Sequence, residues 1–387
     1  MGLIHRFKNN RLILSIIIAL LYINFSCSNN EITSHDLQLT DNQDSIQKVR
    51  ESLNIEVKQK LFAEYFDSIQ KFMLFNGNVL IAQKGQVIFE GCYGYSNFKT
   101  KDTLTPQTTF QLASVSKQFT AIGILMLIDQ GKISLNDPVE KFFPDFPYPC
   151  ITIHLLLCHR SGLPNYIYFT DNLIKDKTTY LSNQSVIKLL CKYKPPAYYK
   201  PDLTFDYSNS GYVVLAAIIE KISGMDYGDY LRENIFEPLG MKNSYVFDRN
   251  KNTEIPNKAT GYLYKVKQAE DSYLNGITGD KGIYTTTYDM FLWDNALYTD
   301  KLLSRKTILK AFEPMAKNKD AIENYGYGFR MYNYNDTMKV IYHGGWWYGF
   351  QNKCIRIEKD SSAIIILKNK KTRHAVNKDK LYGILNM

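Results

Sequence analysis

The chain lacks most of the signatures that would give an easy reading. Its 387 residues hold six cysteines, Cys27, Cys92, Cys150, Cys158, Cys191 and Cys354, with no Cys-x-x-Cys among them. That spacing sets neither a metal site nor a disulfide framework, so buried free thiols are expected. There is no His-Glu-x-x-His, no Gly-x-Ser-x-Gly elbow and no Walker-type phosphate loop, which excludes the chemistries those motifs carry. No basic tract is interleaved with aromatics, so nucleic acid is not an expected partner. Internal repeats and low-complexity tracts are absent. His154, Cys158 and His159 can share a helix face, but no carboxylate joins them, and a core helix is expected there, not a metal centre.

Hydrophobic residues make up 45% and charged residues 22%, with 29 tyrosines and a net charge of +9. This is globular composition, and the length suffices for a sizeable core. The modest positive charge fits contact with anionic lipid or wall polymers, and equally plain solubility. The late run KNKKTRH (368–374) follows a strand-like segment and reads as a solvated turn.

The one long apolar run is LILSIIIALLYI (12–23), between a basic start and NFSCSNN. It is too short for a comfortable membrane span. Its layout describes an export signal over 1–26. Ser26-Cys27 resembles a bacterial lipobox, which implies that Cys27 is lipidated; Asn24 departs from that pattern. A plain signal peptide or a short membrane anchor are the alternatives. Each reading puts the remainder outside the cytoplasm, in the cell envelope. Residues 27–54 are then the lipidated cysteine and a flexible tether, and 55–387 a single domain.

Within that domain, 55–75 has helical spacing. Two β-rich runs flank Lys84-Gly85 and read as a hairpin. From about 150 to 265 the chain is helical and loop-rich, with ITIHLLLCHRSGLPNY (151–166) read as a helix ended by Ser-Gly-Leu-Pro. Strands return at 281–286, 339–345, 349–358 and 362–368, before a last helix at 375–386. The expected fold is α/β (α+β): an antiparallel sheet built from N- and C-terminal segments, flanked by helices, with a helical region inserted between.

Ala-Ser-Val-Ser-Lys (113–117) opens an apolar helical stretch. Ser114 and Lys117 stand one turn apart on one face. A serine needs a base within reach to act as a nucleophile, and a buried lysine loses its proton more easily. The spacing alone is weak, because Ser45/Lys48, Ser68/Lys71, Ser96/Lys99 and Ser185/Lys188 match it too. Tyr207-Ser-Asn209 precedes an amphipathic helix and offers a phenol as a second proton carrier and an amide for substrate. Tyr95-Ser-Asn97 and Tyr273-Leu-Asn275 repeat that pattern. His343-Gly344-Gly345-Trp346 ends a late strand, where glycine admits a ligand close to the backbone.

The order of the three motifs decides between these readings. Ser-x-x-Lys, Tyr-Ser-Asn and His-Gly-Gly, with NGNVLIAQKGQVIFEGCYGYSN, GKISLNDPVEKFFP and GDKGIYTTTYDM, resemble the serine β-lactamase and penicillin-binding protein superfamily. The likeness covers roughly 70–370 and is strongest to the class C-related carboxypeptidases, D-aminopeptidases and esterases. It implies an acyl-enzyme on Ser114, proton transfer by Lys117 and Tyr207, and substrate contact by Asn209. It also implies an oxyanion hole from the backbone N–H groups of Ser114 and Trp346. No cofactor or metal is implied. The expected substrate is a small or peptidic envelope molecule with an amide or ester bond, and the expected state a monomer.

The usual Lys-Thr-Gly is absent, with His343-Gly-Gly in its place. This argues against efficient antibiotic hydrolysis by a true class C-type β-lactamase. It leads to the expectation that the charged form of His343 holds a substrate carboxylate. Asp280-Lys281 reads as part of a tight turn, with a place facing the cleft as the alternative. A catalytically weak binding or sensor protein on the same fold is the alternative to an enzyme.

Overall fold

The two apolar runs around Lys84-Gly85 form the expected hairpin, β1 (Gly77–Gln83) and β2 (Gln86–Tyr93). Both turn residues have positive φ, 49° and 69°, as a two-residue type I′ turn requires. The computed structural model describes residues 51–387 except 73, 252–253, 316–322 and 375. The export signal and Cys27 lie outside the described residues. Ile55–Met387 forms one unit, and among the described residues no helix is long and apolar enough to cross a membrane.

Short strands follow: β3 (Tyr95–Asn97) with β4 (Asp102–Thr103), then β5 (Phe110–Gln111), β6 (Tyr245–Val246) and β7 (Ile283–Thr285) in a small sheet of order β5-β7-β6. The expected strand at 281–286 therefore belongs to this small sheet. The main sheet draws on the C-terminal strands β8 (Glu323–Tyr325), β9 (Arg330–Asn335), β10 (Met338–Trp347), β11 (Phe350–Ile357) and β12 (Ser362–Lys368), in the order β2-β1-β12-β11-β10-β9-β8. All its pairings are antiparallel. The expected sheet, completed from both ends of the chain, is present. The sequence reading missed β8 and β9, whose polar, tyrosine-rich pattern carries little alternation.

β1 and β12 are buried along their whole length, because both sheet faces are covered. Leu80, Ala82, Ile365 and Leu367 face a large core that includes Trp293. On the alternate face, α1 (Ile55–Lys71) lays Phe62 and Phe66 against Phe89 of β2. α2 (Lys117–Asp129) is apolar on every side and buried from Lys117 to Leu127, as a central helix must be.

The insertion contributes α3 (Ile153–Leu157), α4 (Tyr166–Leu173), α5 (Asn183–Tyr193) and α6 (Asn209–Ser223). The helix expected over 151–166 is shorter than its apolar pattern, because His159 takes a left-handed φ of 57° and ends it. All five cysteines in this unit are free, but only Cys158 and Cys354 are buried; Cys150 is exposed, a correction to the expectation of buried thiols. His154 and Cys158 approach to 4.0 Å, and no group of three potential metal ligands occurs among the described residues.

Leu80 is fully buried and Leu61 41% exposed. Leu80→Ala is expected to cost about 3 kcal/mol in urea unfolding, and Leu61→Ala less than about 1 kcal/mol. Equal losses would contradict the core assignment.

Candidate active site

Ser114 sits in a tight 3₁₀ turn (Ala113–Ser116) that runs into α2. Ala113 holds a φ of 51°, a strained conformation for a residue with a Cβ. Several bonds hold the turn in place. Leu112 N–H donates to Ile283 O at 2.7 Å. Ile283 N–H donates to Ser116 Oγ at 3.3 Å, and Asn352 Nδ2 to Gln111 O at 2.6 Å. Gly345 of β10 closes the arrangement, since a Cβ there would stand 2.1 Å from Leu112 O. Only glycine lets the strand approach this closely.

Lys117 follows as the first residue of α2 and is fully buried. Its Nζ donates to Ser114 Oγ at 3.1 Å, Asn209 Oδ1 at 2.8 Å and Asp280 O at 3.0 Å. These use all three donors of an ammonium. Once a proton is lost, two donors remain. The Asn209 and Asp280 oxygens only accept, so they keep those donors, and the lone pair then faces Ser114, the one partner whose hydroxyl can donate.

Tyr207 is half-buried. Its ring lies 5.0 Å from Lys117 Nζ and 5.2 Å from the Arg330 guanidinium. The loop carrying it is pinned to the chain after α3. Ser208 N–H donates to His159 Nδ1 at 3.3 Å and Asp206 N–H to His159 O at 2.8 Å. The His159 ring packs 4.2 Å from that of Tyr207. Burial, with Lys117, His343 and Arg330 nearby, pushes the His159 pKa well below the usual value, so this imidazole is neutral.

β10 walls the other side. Its hairpin turn, Tyr348-Gly349, has φ values of 37° and 91°, so Trp347–Phe350 is the closing hydrogen-bonded pair. Alternation then turns the N–H groups of Gly344 and Trp346 to the opposite edge. Among the described residues β9 covers that edge only as far as Tyr342–Arg330. The Trp346 N–H therefore points from an edge that β9 leaves open, and Trp346 lines the same cleft as Ser114. Trp346 is 52% exposed, whereas Trp347 is buried and donates to Asn275 Oδ1 at 2.9 Å.

His343 does not meet its expectation. It is 1% exposed. Nδ1 lies 2.7 Å from Gly344 O, and Nε2 lies 3.1 Å from the Tyr325 hydroxyl. A neutral Nδ1–H tautomer satisfies both contacts. Burial, then the Lys117 charge, lowers its pKa to about 3. A charged His343 binding a carboxylate is thus replaced by a neutral wall residue.

The cleft between these elements measures about 530 Å³ and is lined by Ser114, Tyr207, Asn209, Asp280, Lys281, Arg330, His343, Gly344 and Trp346 among others. Gly345 lies beneath it. Asp280 and Lys281, read from sequence as turn residues, are both 2% exposed. Lys281 Nζ reaches the Tyr166 hydroxyl at 2.7 Å, and that hydroxyl donates to Asp280 Oδ2 at 2.8 Å. Burial lowers the Lys281 pKa to about 8 against the opposing pull of Asp280. Sequence reasoning also missed Arg330 and Lys353; both lie on strands beside β10, and neither belongs to a motif.

Comparison with known proteins gives the family of this fold. The family model described as Beta-lactamase matches residues 69–386. The chain belongs to that family. It is 36% identical over 327 residues to penicillin-binding protein 4* of Bacillus subtilis, covering 81% of this chain and 72% of that one. It is 29% identical over 286 residues to a teichoic acid D-alanine hydrolase of Staphylococcus aureus, covering 68% and 65%. The octameric penicillin-binding protein homologue of Pyrococcus abyssi superposes with a TM-score of 0.71 at 28% identity, over 84% of this chain and 76% of that one. This β-lactamase-family member is a serine hydrolase of the penicillin-binding protein type.

Two buried, neutral histidines make stability fall in acid. The unfolded chain takes up protons near the ordinary histidine pKa of about 6.5, while folded His343 resists to about 3. Its contribution is complete above about 6.5 and is lost progressively below. The melting temperature is expected to drop between pH 7 and pH 4, with a shallower slope in His343→Asn. An identical slope would contradict the burial of a neutral imidazole.

Proposed function

We propose that Ser114 is the nucleophile of an acyl-enzyme cycle in which Lys117 and Tyr207 carry the protons. The observation that carries this reading is the three-way anchoring of Lys117 Nζ on Ser114, Asn209 and Asp280. The resting ammonium of Lys117 gives way in the reactive form to a neutral amine, which takes the Ser114 proton as Oγ attacks the substrate carbonyl. The developing oxyanion is held by the N–H groups of Ser114 and Trp346. Collapse expels the amine or alcohol, which receives its proton through Tyr207. Water, deprotonated by the same pair, then releases the acid and restores Ser114. Asn209 holds the substrate amide, and Gly344, which lines the cleft, keeps the strand clear for it.

The substrate is an amide or ester in a small or peptidic molecule of the cell envelope. The relatives named for penicillin binding and for teichoic acid D-alanine hydrolysis support that class. The export signal and Cys27 support a lipid-anchored location there. A neutral His343 and the missing Lys-Thr-Gly weigh against a dedicated β-lactamase. Four polar site residues retained together weigh against a pure sensor.

Initial rates on a D-alanyl ester and a D-alanyl amide test the reading. Ser114→Ala is expected at background. Lys117→Ala should lose about a thousandfold in kcat and Tyr207→Phe about a hundredfold. Wild-type rates in Ser114→Ala would remove the proposal.

A further inference from the structure

The run 368–374 is not the solvated turn its composition suggests. Lys368 and Asn369 are buried. Lys368 Nζ donates to Gln351 Oε1 at 2.9 Å and Thr372 Oγ1 at 3.1 Å. Asn369 Nδ2 donates to the carbonyls of Tyr95 and Thr260 at 3.1 and 2.9 Å. Lys371 N–H donates to Tyr262 O at 2.8 Å. The backbone is therefore fixed where it presents the remaining cations.

One of those cations, Lys371, stands against a lining residue of the cleft, and Arg373 shares a second ring with it. Lys371 Nζ lies 4.5 Å from the Trp346 ring and 4.8 Å from the Tyr264 ring. The Arg373 guanidinium lies 5.6 Å from the Tyr264 ring. Trp346 and Tyr264 are 52% and 42% exposed, and Trp346 also lines the cleft beside Ser114. Among the described residues, neither Lys371 nor Arg373 makes an ion pair, unlike Lys141, Lys177, Arg232 and Arg249. Two cations with no ion pair among the described residues thus stand against exposed rings, one of which, Trp346, also lines the cleft.

We infer that this rim holds the anionic chain of a polymeric envelope substrate, phosphate- or carboxylate-bearing, while the amide or ester attached to it enters the cleft. The inference rests on the acyl-enzyme reading for the chemistry but not for the binding. Guanidinium and ammonium groups supply charge-assisted bonds to either anion, and exposed Trp and Tyr offer flat faces to the repeating units. Because Trp346 belongs both to this rim and to the cleft lining, the occupant of the rim is continuous with the molecule that enters the cleft.

The test is binding of the full-length chain to poly(glycerol phosphate), polygalacturonate, neutral dextran and vesicles of anionic phosphatidylglycerol. Hydrolysis of a small uncharged ester is measured alongside. At least one polyanion should bind, dextran should not, and raising salt should weaken binding. Lys371→Gln with Arg373→Gln should weaken it about tenfold, the loss of two exposed ion contacts, with an unchanged melting temperature. Retention of wild-type affinity in the double variant, or binding to vesicles only, would overturn the inference. Ester hydrolysis without polymer binding sinks the rim alone. Polymer binding that the double variant loses, without ester hydrolysis, upholds the rim and sinks the acyl-enzyme reading.

Discussion

A single buried ammonium, that of Lys117, ties together segments far apart in the chain. Its three bonds join the turn before α2, the start of α6 and the loop before β7. An unpaired charge at that depth would cost several kcal/mol, so the fold around it must supply all three acceptors at once. Two of them are fixed by other contacts. Asn209 begins a helix whose preceding loop is pinned to His159, and Asp280 is clamped by Tyr166 and Lys281. Only the serine hydroxyl is free to exchange roles with the lysine, which is the property a nucleophile–base pair needs.

The second constraint is steric. Gly345 brings β10 against Leu112 at a distance no side chain permits, and the strained Ala113 faces it. Together they set the nucleophile turn beside an open strand edge. The neutral, buried His343 belongs to this scaffolding. It fills the wall of β10 against Tyr325 of β8 and leaves positive charge in the cleft lining to Arg330, Lys281 and Lys353.

Much of this was legible in the sequence, for a physical reason. Ser-x-x-Lys, Tyr-Ser-Asn and the hairpin signals are local, so spacing and turn chemistry expose them. Their decoys fell away once folded: Tyr95 lies on the edge pair β3–β4, Ser68 and Lys71 lie on α1, and Asn275 accepts from Trp347. What stayed hidden depends on long-range packing. The state of His343 is set by burial and by the Lys117 charge, neither of which its local sequence reveals. The burial of Asp280 and Lys281 depends on Tyr166, more than a hundred residues away. The basic run 368–374 looked solvated because nothing local reveals that Asn369 is held by three backbone carbonyls.

The central claim is that Ser114 is an activated nucleophile, and the most direct measurement is intact-protein mass after exposure to a serine-reactive phosphonate. The account predicts the addition of one phosphonyl group, located at Ser114 by peptide mapping and absent in Ser114→Ala. A folded wild-type protein that stays unmodified, or equal labelling of Ser114→Ala, would contradict it.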